Sequence, residues 1–166
     1  MIIDIKGDIT EFDEAQYICH QCNCLTHTAG GLAYSIFNKF PWSNIYLGRE
    51  KYNFDHKNLP EELQAGNIIV SGNGDNERYV INMLAQVYPG FPKYPRSKLD
   101  GYDARLKYFK ACIAQIARID NIKNIAFPYK IGCGMAGGDW KDYLHIITLL
   151  DNAWNKKKDI YIVEKK

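Results

Sequence analysis

The chain has 166 residues, 46% of them apolar, 24% charged and 13% aromatic. Chains of this length bury roughly two-thirds of the surface they expose when unfolded, so a substantial core is available. Lys and Arg number 21 against 19 Asp and Glu, and the net charge of +2 excludes a polybasic nucleic-acid binder held by bulk charge, though not a small basic groove.

No apolar run approaches the ~20 residues of a membrane span. Met1-Ile2-Ile3-Asp4 has neither the basic region nor the apolar core of a secretory signal. A cytoplasmic protein with no membrane partner is therefore expected. The cysteines are five, an odd number with Cys19, Cys22 and Cys24 close together. They make no disulfide framework and point to a reducing compartment.

Ile2 to Lys6, ended by Gly7-Asp8, reads as a first strand. Ala15 to Cys22 is a second apolar stretch, running into the glycine-containing loop Asn23 to Gly31. Leu32, Ile36 and Phe40 recur at helical spacing, and Pro41 closes that helix. The segment 46–63 is polar and aromatic without a period, and no structure is assigned to it. Residues 67–70 and 79–84 read as strands joined across Gly72-Asn73-Gly74-Asp75. The prolines between Pro89 and Pro95 demand an irregular connection.

Asp100 is expected to cap a helix that carries Leu106, Phe109, Ile113 and Ile116 on one face. Asn124 to Pro128 reads as a short buried strand, followed by the glycine-rich loop Gly132 to Gly138. A helix beginning near Gly138 then buries Trp140, Tyr143 or Leu144, Ile147, Leu150 and Trp154, and Ile160 to Val163 is the last strand. Nothing in this alternation reads as a repeat, a low-complexity tract or a linker. It implies one α/β domain over residues 1–166, a three-layer α/β/α arrangement with a central mixed sheet.

Ligands of open α/β sheets bind beyond the strand ends, which directs attention to three loops. Gly132 to Gly138 contains four glycines in seven residues, so its backbone can approach a ligand and turn N–H groups inward. The start of the following helix adds positive potential, which suits a phosphate; the alternative is a flexible strand-to-helix turn. The loop is neither a Walker loop nor a dinucleotide fingerprint. Gly30-Gly31 offers a second set of donors, and two such loops facing one cleft suit a diphosphate. Asp8, just past the first strand, either accepts an amino hydrogen from a base or caps a turn, and spacing alone favours the turn.

Cys19, His20, Cys22 and Cys24 look like metal ligands at first sight, yet a structural zinc site takes two separated ligand pairs. Buried inert thiols fit better, and neither metal nor cofactor is expected. Cys133 near a helix start could be a thiolate, but no histidine adjoins it. His20 reads first as a core histidine with both nitrogens satisfied. Asp139 reads either as a base beside a bound sugar or phosphate, or as a first-turn helix residue.

Three motifs in order resemble the macrodomain family of ADP-ribose-binding α/β/α modules: Lys6-Gly7-Asp8-Ile9-Thr10, His20-Gln21-Cys22-Asn23-Cys24 through Gly30-Gly31-Leu32-Ala33, and Phe127-Pro128 leading to Ile131-Gly132-Cys133-Gly134. The similar subgroup holds terminal ADP-ribose protein glycohydrolases and ADP-ribose 1''-phosphate phosphatases. The resemblance implies that Asp8 and the Ile9 backbone hold adenine and that Asn23 lies near the distal ribose. It further implies that Gly30, Gly31 and Leu32 form one phosphate loop and Gly132, Cys133, Gly134, Met135 and Ala136 the other.

The glycohydrolases of that subgroup use a strand lysine and an aspartate after the glycine-cysteine-glycine. Here Leu84-Ala85-Gln86 and Ala136 stand in those places. The resemblance to the phosphatases then makes His20 the candidate acid or nucleophile, and Asp139, three residues beyond the vacant position, is the alternative group to activate water. Val163 stands where the family often stacks an aromatic on adenine, leaving Tyr161 or another aromatic to substitute. The expected function is hydrolysis at the 1'' position of an ADP-ribose derivative, free or carried on a protein or nucleic acid. The competing expectation is a reader that binds ADP-ribose, or a related NAD-derived nucleotide, without chemistry.

Overall fold

In the computed structural model, which describes residues 1–166, six strands form one sheet. They are β1 (Ile2–Lys6), β2 (Tyr17–Asn23), β3 (Ile68–Ser71), β4 (Tyr79–Gln86), β5 (Asn124–Pro128) and β6 (Asp159–Glu164), and their order across the sheet is β1-β6-β5-β2-β4-β3. All neighbours are parallel except β3 and β4, which form the expected hairpin. The last strand in the chain therefore lies inside the sheet, between β1 and β5.

Strand alternation sorts the apolar residues into two cores, one on each face of the sheet. Tyr17, Cys19, Ile81, Met83 and Ala85 face α2 (Tyr102–Ala117) and α3 (Trp140–Ala153), and pack on Phe109, Ile113, Ile116, Ile147 and Leu150. Ile18, Cys22, Val80 and Leu84 face α1 (Gly31–Lys39) and meet Ile36 and Phe37. This is the three-layer α/β/α arrangement with a mixed sheet. No helix is long and apolar enough to cross a membrane.

One helix start differs from the expectation. Asp100 does not cap α2, whose N-cap is Gly101 with no side-chain bond. Its carboxylate instead accepts from the N–H groups of Val87 at 2.7 Å and Tyr88 at 3.1 Å, and pairs with Arg105 at 2.7 Å. α3 begins at Trp140, close to the expected start near Gly138, and Asp139 rather than a glycine supplies the cap by accepting from Lys141 N–H at 3.1 Å. The aperiodic segment 46–63 folds into short 3-10 turns at Arg49–Tyr52, His56–Asn58 and Glu61–Leu63. It is anchored by the buried side chains of Tyr46, Arg49 and Leu59.

Candidate functional site

Parallel strands place their C-terminal ends together, and the loops leaving β2, β4 and β5 enclose a cleft of about 670 Å³. That volume lies in the range of small-molecule sites. A register shift between Cys22 and Asn23 pairs Asn23 with Gln86, so both strand ends turn their polar side chains into the cleft. At its floor Gln21 Nε2 donates to Gln86 Oε1 at 2.7 Å, and Gln86 Nε2 donates to the Tyr88 carbonyl at 2.9 Å.

The first wall is the start of α1. Its N-cap, Gly30, has no side chain to bond the first N–H groups, which lack intrahelical partners. Gly31, Leu32 and Ala33 all line the cleft. The preceding turn is fixed by Asn23, whose Oδ1 accepts from Leu25 and Thr26 N–H, both at 2.9 Å. Tyr46 Oη accepts from Asn23 N at 3.0 Å and from its Nδ2 at 3.1 Å. Asn23 is thereby a loop-forming residue as well as a lining one.

The second wall is the loop after β5. The N–H groups of Gly132, Gly134, Met135 and Ala136 donate to no group of the protein, whereas Cys133 N–H bonds Lys130 O at 2.9 Å and Gly138 N–H bonds Gly132 O at 2.9 Å. Gly132 takes φ 77°, and a Cβ there would overlap the Tyr143 ring and lie 2.8 Å from Gln21 Oε1. The loop is closed from behind by Arg105, which is 1% exposed. Its NH1 donates to Gly90 O at 2.6 Å and Ala136 O at 3.1 Å, joining two cleft walls. Lys130 is the one charged residue among those lining the cleft, and no carboxylate or imidazole is among them. Free N–H groups, an uncapped helix start and a lysine favour an anion.

The structure thus brings Asn23, Gly30, Gly31, Leu32, Gly132, Gly134, Met135 and Ala136 to one cleft. It separates the other predicted residues from that cleft, each for a visible reason. His20 is 1% exposed on the α1 face of the sheet, edge-on to Phe37 at 5.3 Å. Asn82 Nδ2 donates to Ile69 O and Ser71 Oγ, so its Oδ1 is the acceptor and His20 Nε2 carries the proton across 2.7 Å. His20 thus sits as a core histidine and is not among the residues lining the cleft. Asp139 is exposed and engaged as the α3 cap, so α3 directs no open positive end at the ligand loop.

Cys133 points its Sγ to Ile131 O at 3.3 Å, and burial pushes its thiol up to about 12, which corrects the thiolate reading. Its N–H is also engaged, so it lends the second loop neither donor nor nucleophile. Asp8 caps the turn Ile9–Glu11, with Thr10 N at 2.9 Å and Thr10 Oγ1 at 2.8 Å, and these bonds hold its carboxyl below the usual range. It lies at the same sheet edge past β1, with β6 between β1 and β5, and Ile9 beside it is buried. Tyr161 is buried edge-on to Phe12 at 4.9 Å and offers no face to a ligand.

Tyr129, Lys130, Tyr46, Gln21 and Thr26 line the cleft without having been singled out from the sequence. Tyr129 and Lys130 were findable, since they directly follow the β5 end. Tyr46 carried no signal, because its segment has no period.

The buried histidine has a consequence for stability. Burial holds His20 down to about 4, so the neutral form is the one the fold favours. The unfolded chain takes up the proton first as pH falls below ~6.5, and stability should drop by ~3 kcal/mol between there and pH 4. Urea unfolding of wild type at pH 7, 5.5 and 4 should show that loss, and His20→Gln should flatten it. An equal slope in the variant contradicts the assignment.

The fold and cleft together define an α/β/α module that presents two backbone-lined loops at the carboxyl ends of parallel strands. The Macro domain family model matches residues 19–147, and the chain belongs to that family. No curated protein sequence matches it significantly. Among solved structures it resembles the macrodomain of Mycobacterium tuberculosis DarG, at 19% identity and TM-score 0.68, over 99% of this chain and 97% of that one. A mutant Oceanobacillus iheyensis macrodomain with ADPR matches at 20% identity and TM-score 0.63, over 98% of this chain and 84% of that one. A Trypanosoma brucei macrodomain in complex with ADP-ribose matches at 14% identity and TM-score 0.60, over 98% and 63%. At such identities the likeness carries the fold.

Proposed function

We propose that this macrodomain binds ADP-ribose, or a group ending in it, in the cleft between α1 and the loop after β5. The observation that carries the reading is the pair of opposed backbone surfaces, Gly30–Ala33 and Gly132–Ala136, with free N–H groups and no acidic side chain between them. A diphosphate fits such a surface, because fixed N–H dipoles hold an anion without a basic protein around it. The distal ribose then lies toward Asn23, Gln21 and Gln86. The base extends across β6 toward Asp8 and Ile9, and Tyr129, 38% exposed on the cleft wall, is the aromatic available to it.

Hydrolysis at the 1'' position needs a group that accepts or delivers a proton at the sugar. Neither His20 nor Asp139 lines the cleft, and Lys130 is its lone ionisable group of charged type. The geometry therefore supports a binding module that captures ADP-ribose, free or attached to a protein or nucleic acid; the reducing compartment read from the cysteines makes its proposed setting cytoplasmic.

Calorimetry with ADP-ribose, run beside a product assay on ADP-ribose 1''-phosphate and an ADP-ribosylated peptide, tests this. Binding without product is expected, and His20→Ala and Asp139→Ala should bind ADP-ribose within about threefold of wild type. Turnover that disappears in either variant would restore the hydrolase reading, and absence of binding by wild type would end both.

A further inference from the structure

Arg49 is 3% exposed, yet none of the ion pairs in the protein includes it. Its NH1 donates to Asn23 O at 2.9 Å and Thr26 O at 3.2 Å, and its guanidinium lies 4.3 Å from the Tyr46 ring centroid. Nε and NH2 are buried with no partner at all. The titratable groups around it are Tyr46, Tyr52, Cys22 and Cys24. Burial pushes both thiols up to about 12 and the Tyr46 phenol higher, so these three are neutral at physiological pH.

A charge removed from water needs a counter-ion or a full set of hydrogen bonds. The other buried arginine shows what that looks like: Arg105 has the Asp100 carboxylate and three carbonyls. Arg49 has two carbonyls and a ring face. Every group it holds directly, namely Asn23, Thr26 and Tyr46, is a wall of the cleft.

We propose that Arg49 is one half of an ion pair whose other half is the ligand: from behind the Asn23–Thr26 wall its charge selects a diphosphate-bearing ligand over a neutral one. The inference rests on the ADP-ribose reading above and adds a specificity-determining residue to it. Arg49 need not touch the ligand. A cation in the low-dielectric interior acts across a thin wall with little screening by salt, unlike an exposed lysine such as Lys130. Its bonds to the two carbonyls also fix the peptides of the first loop, so charge and loop geometry must be separated by experiment.

ADP-ribose and adenosine share the base and one ribose but differ in the diphosphate and the distal ribose, so charge and loop geometry are separated by reading both ligands on Arg49→Gln beside Arg49→Lys, which keeps the charge. Each is titrated into wild type, Arg49→Gln and Arg49→Lys, with thermal unfolding followed by circular dichroism to establish that each variant is folded. Arg49→Gln should weaken ADP-ribose by about tenfold or more while adenosine changes by less than about threefold, and Arg49→Lys should keep ADP-ribose within about threefold. An equal loss for both ligands, or no loss for either, overturns the proposal by making Arg49 a scaffold residue. Should Arg49→Gln not fold, Arg49→Lys decides, since a tenfold loss with the charge retained overturns it as well. Wild type that binds neither ligand refutes the ADP-ribose reading itself, an outcome separate from these.

Discussion

Arg105→Met is expected to lower the stability of the protein by ~3–5 kcal/mol, because it strands a buried carboxylate and three carbonyls at once. Arg105 donates to both oxygens of Asp100, at 3.1 and 2.7 Å, and to the carbonyls of Tyr88, Gly90 and Ala136. Asp100 in turn bonds the N–H groups of Val87 and Tyr88, so the pair holds the chain beyond β4 against the loop beyond β5. Asp100→Asn removes the charge that Arg105 leaves unmatched. The double variant Asp100→Asn/Arg105→Met should therefore be less unstable than the sum of the single ones. Urea unfolding of the four proteins measures this. Strict additivity would mean that the two residues act independently, contrary to the geometry.

Gly134→Val is expected to do the opposite: to leave the fold alone and abolish ligand capture. A Cβ at Gly134 meets nothing within 4 Å, and its φ is not in the left-handed region, so a side chain can start there without a Cβ clash or backbone strain. Stability should stay within ~0.5 kcal/mol of wild type. The new side chain stands on the surface that the diphosphate must approach, and ADP-ribose affinity should fall by about a hundredfold or more. Gly132→Ala makes the contrast, since its φ of 77° and the Tyr143 ring behind it tie it to the fold as well as the ligand. Calorimetry and thermal unfolding on the two variants separate the roles. Unchanged affinity in folded Gly134→Val would place the ligand elsewhere.

These two expectations also mark what could be read from the sequence and what could not. The glycine loops were legible because their chemistry is local: Gly30-Gly31 and Gly132 to Gly134 announce close backbone approach by residue type alone. The strands were legible through short apolar runs with turn residues at their ends. The Arg105–Asp100 clamp was not, since its partners come from loops after two different strands and only the folded sheet brings them together. The same holds for Arg49, in a segment without a period, and for the pairing of Asn23 with Gln86, which depends on a register shift.

His20 and Asp139 lie outside the cleft for a related reason. Spacing fixed the elements they sit on but not the face or the competing partner, and in the fold His20 meets Asn82 while Asp139 meets the first turn of α3. Asp139 illustrates a general ambiguity, because an aspartate just before a helix fits a cap as readily as a catalytic base. The charge balance of +2 is consistent with the proposed site, where peptide N–H groups rather than a basic surface face the cleft.

The central claim is that opposed peptide N–H groups hold a diphosphate, and amide proton and nitrogen shifts in a titration of the ¹⁵N-labelled protein with ADP-ribose test it most directly. The account predicts that the largest shifts fall on Gly31, Leu32 and Ala33 and on Gly132, Gly134, Met135 and Ala136, whose N–H groups are free in the ligand-free fold. Cys133 N–H, already bonded to Lys130 O, should move less. Saturable shifts confined to residues outside these two loops would contradict the account.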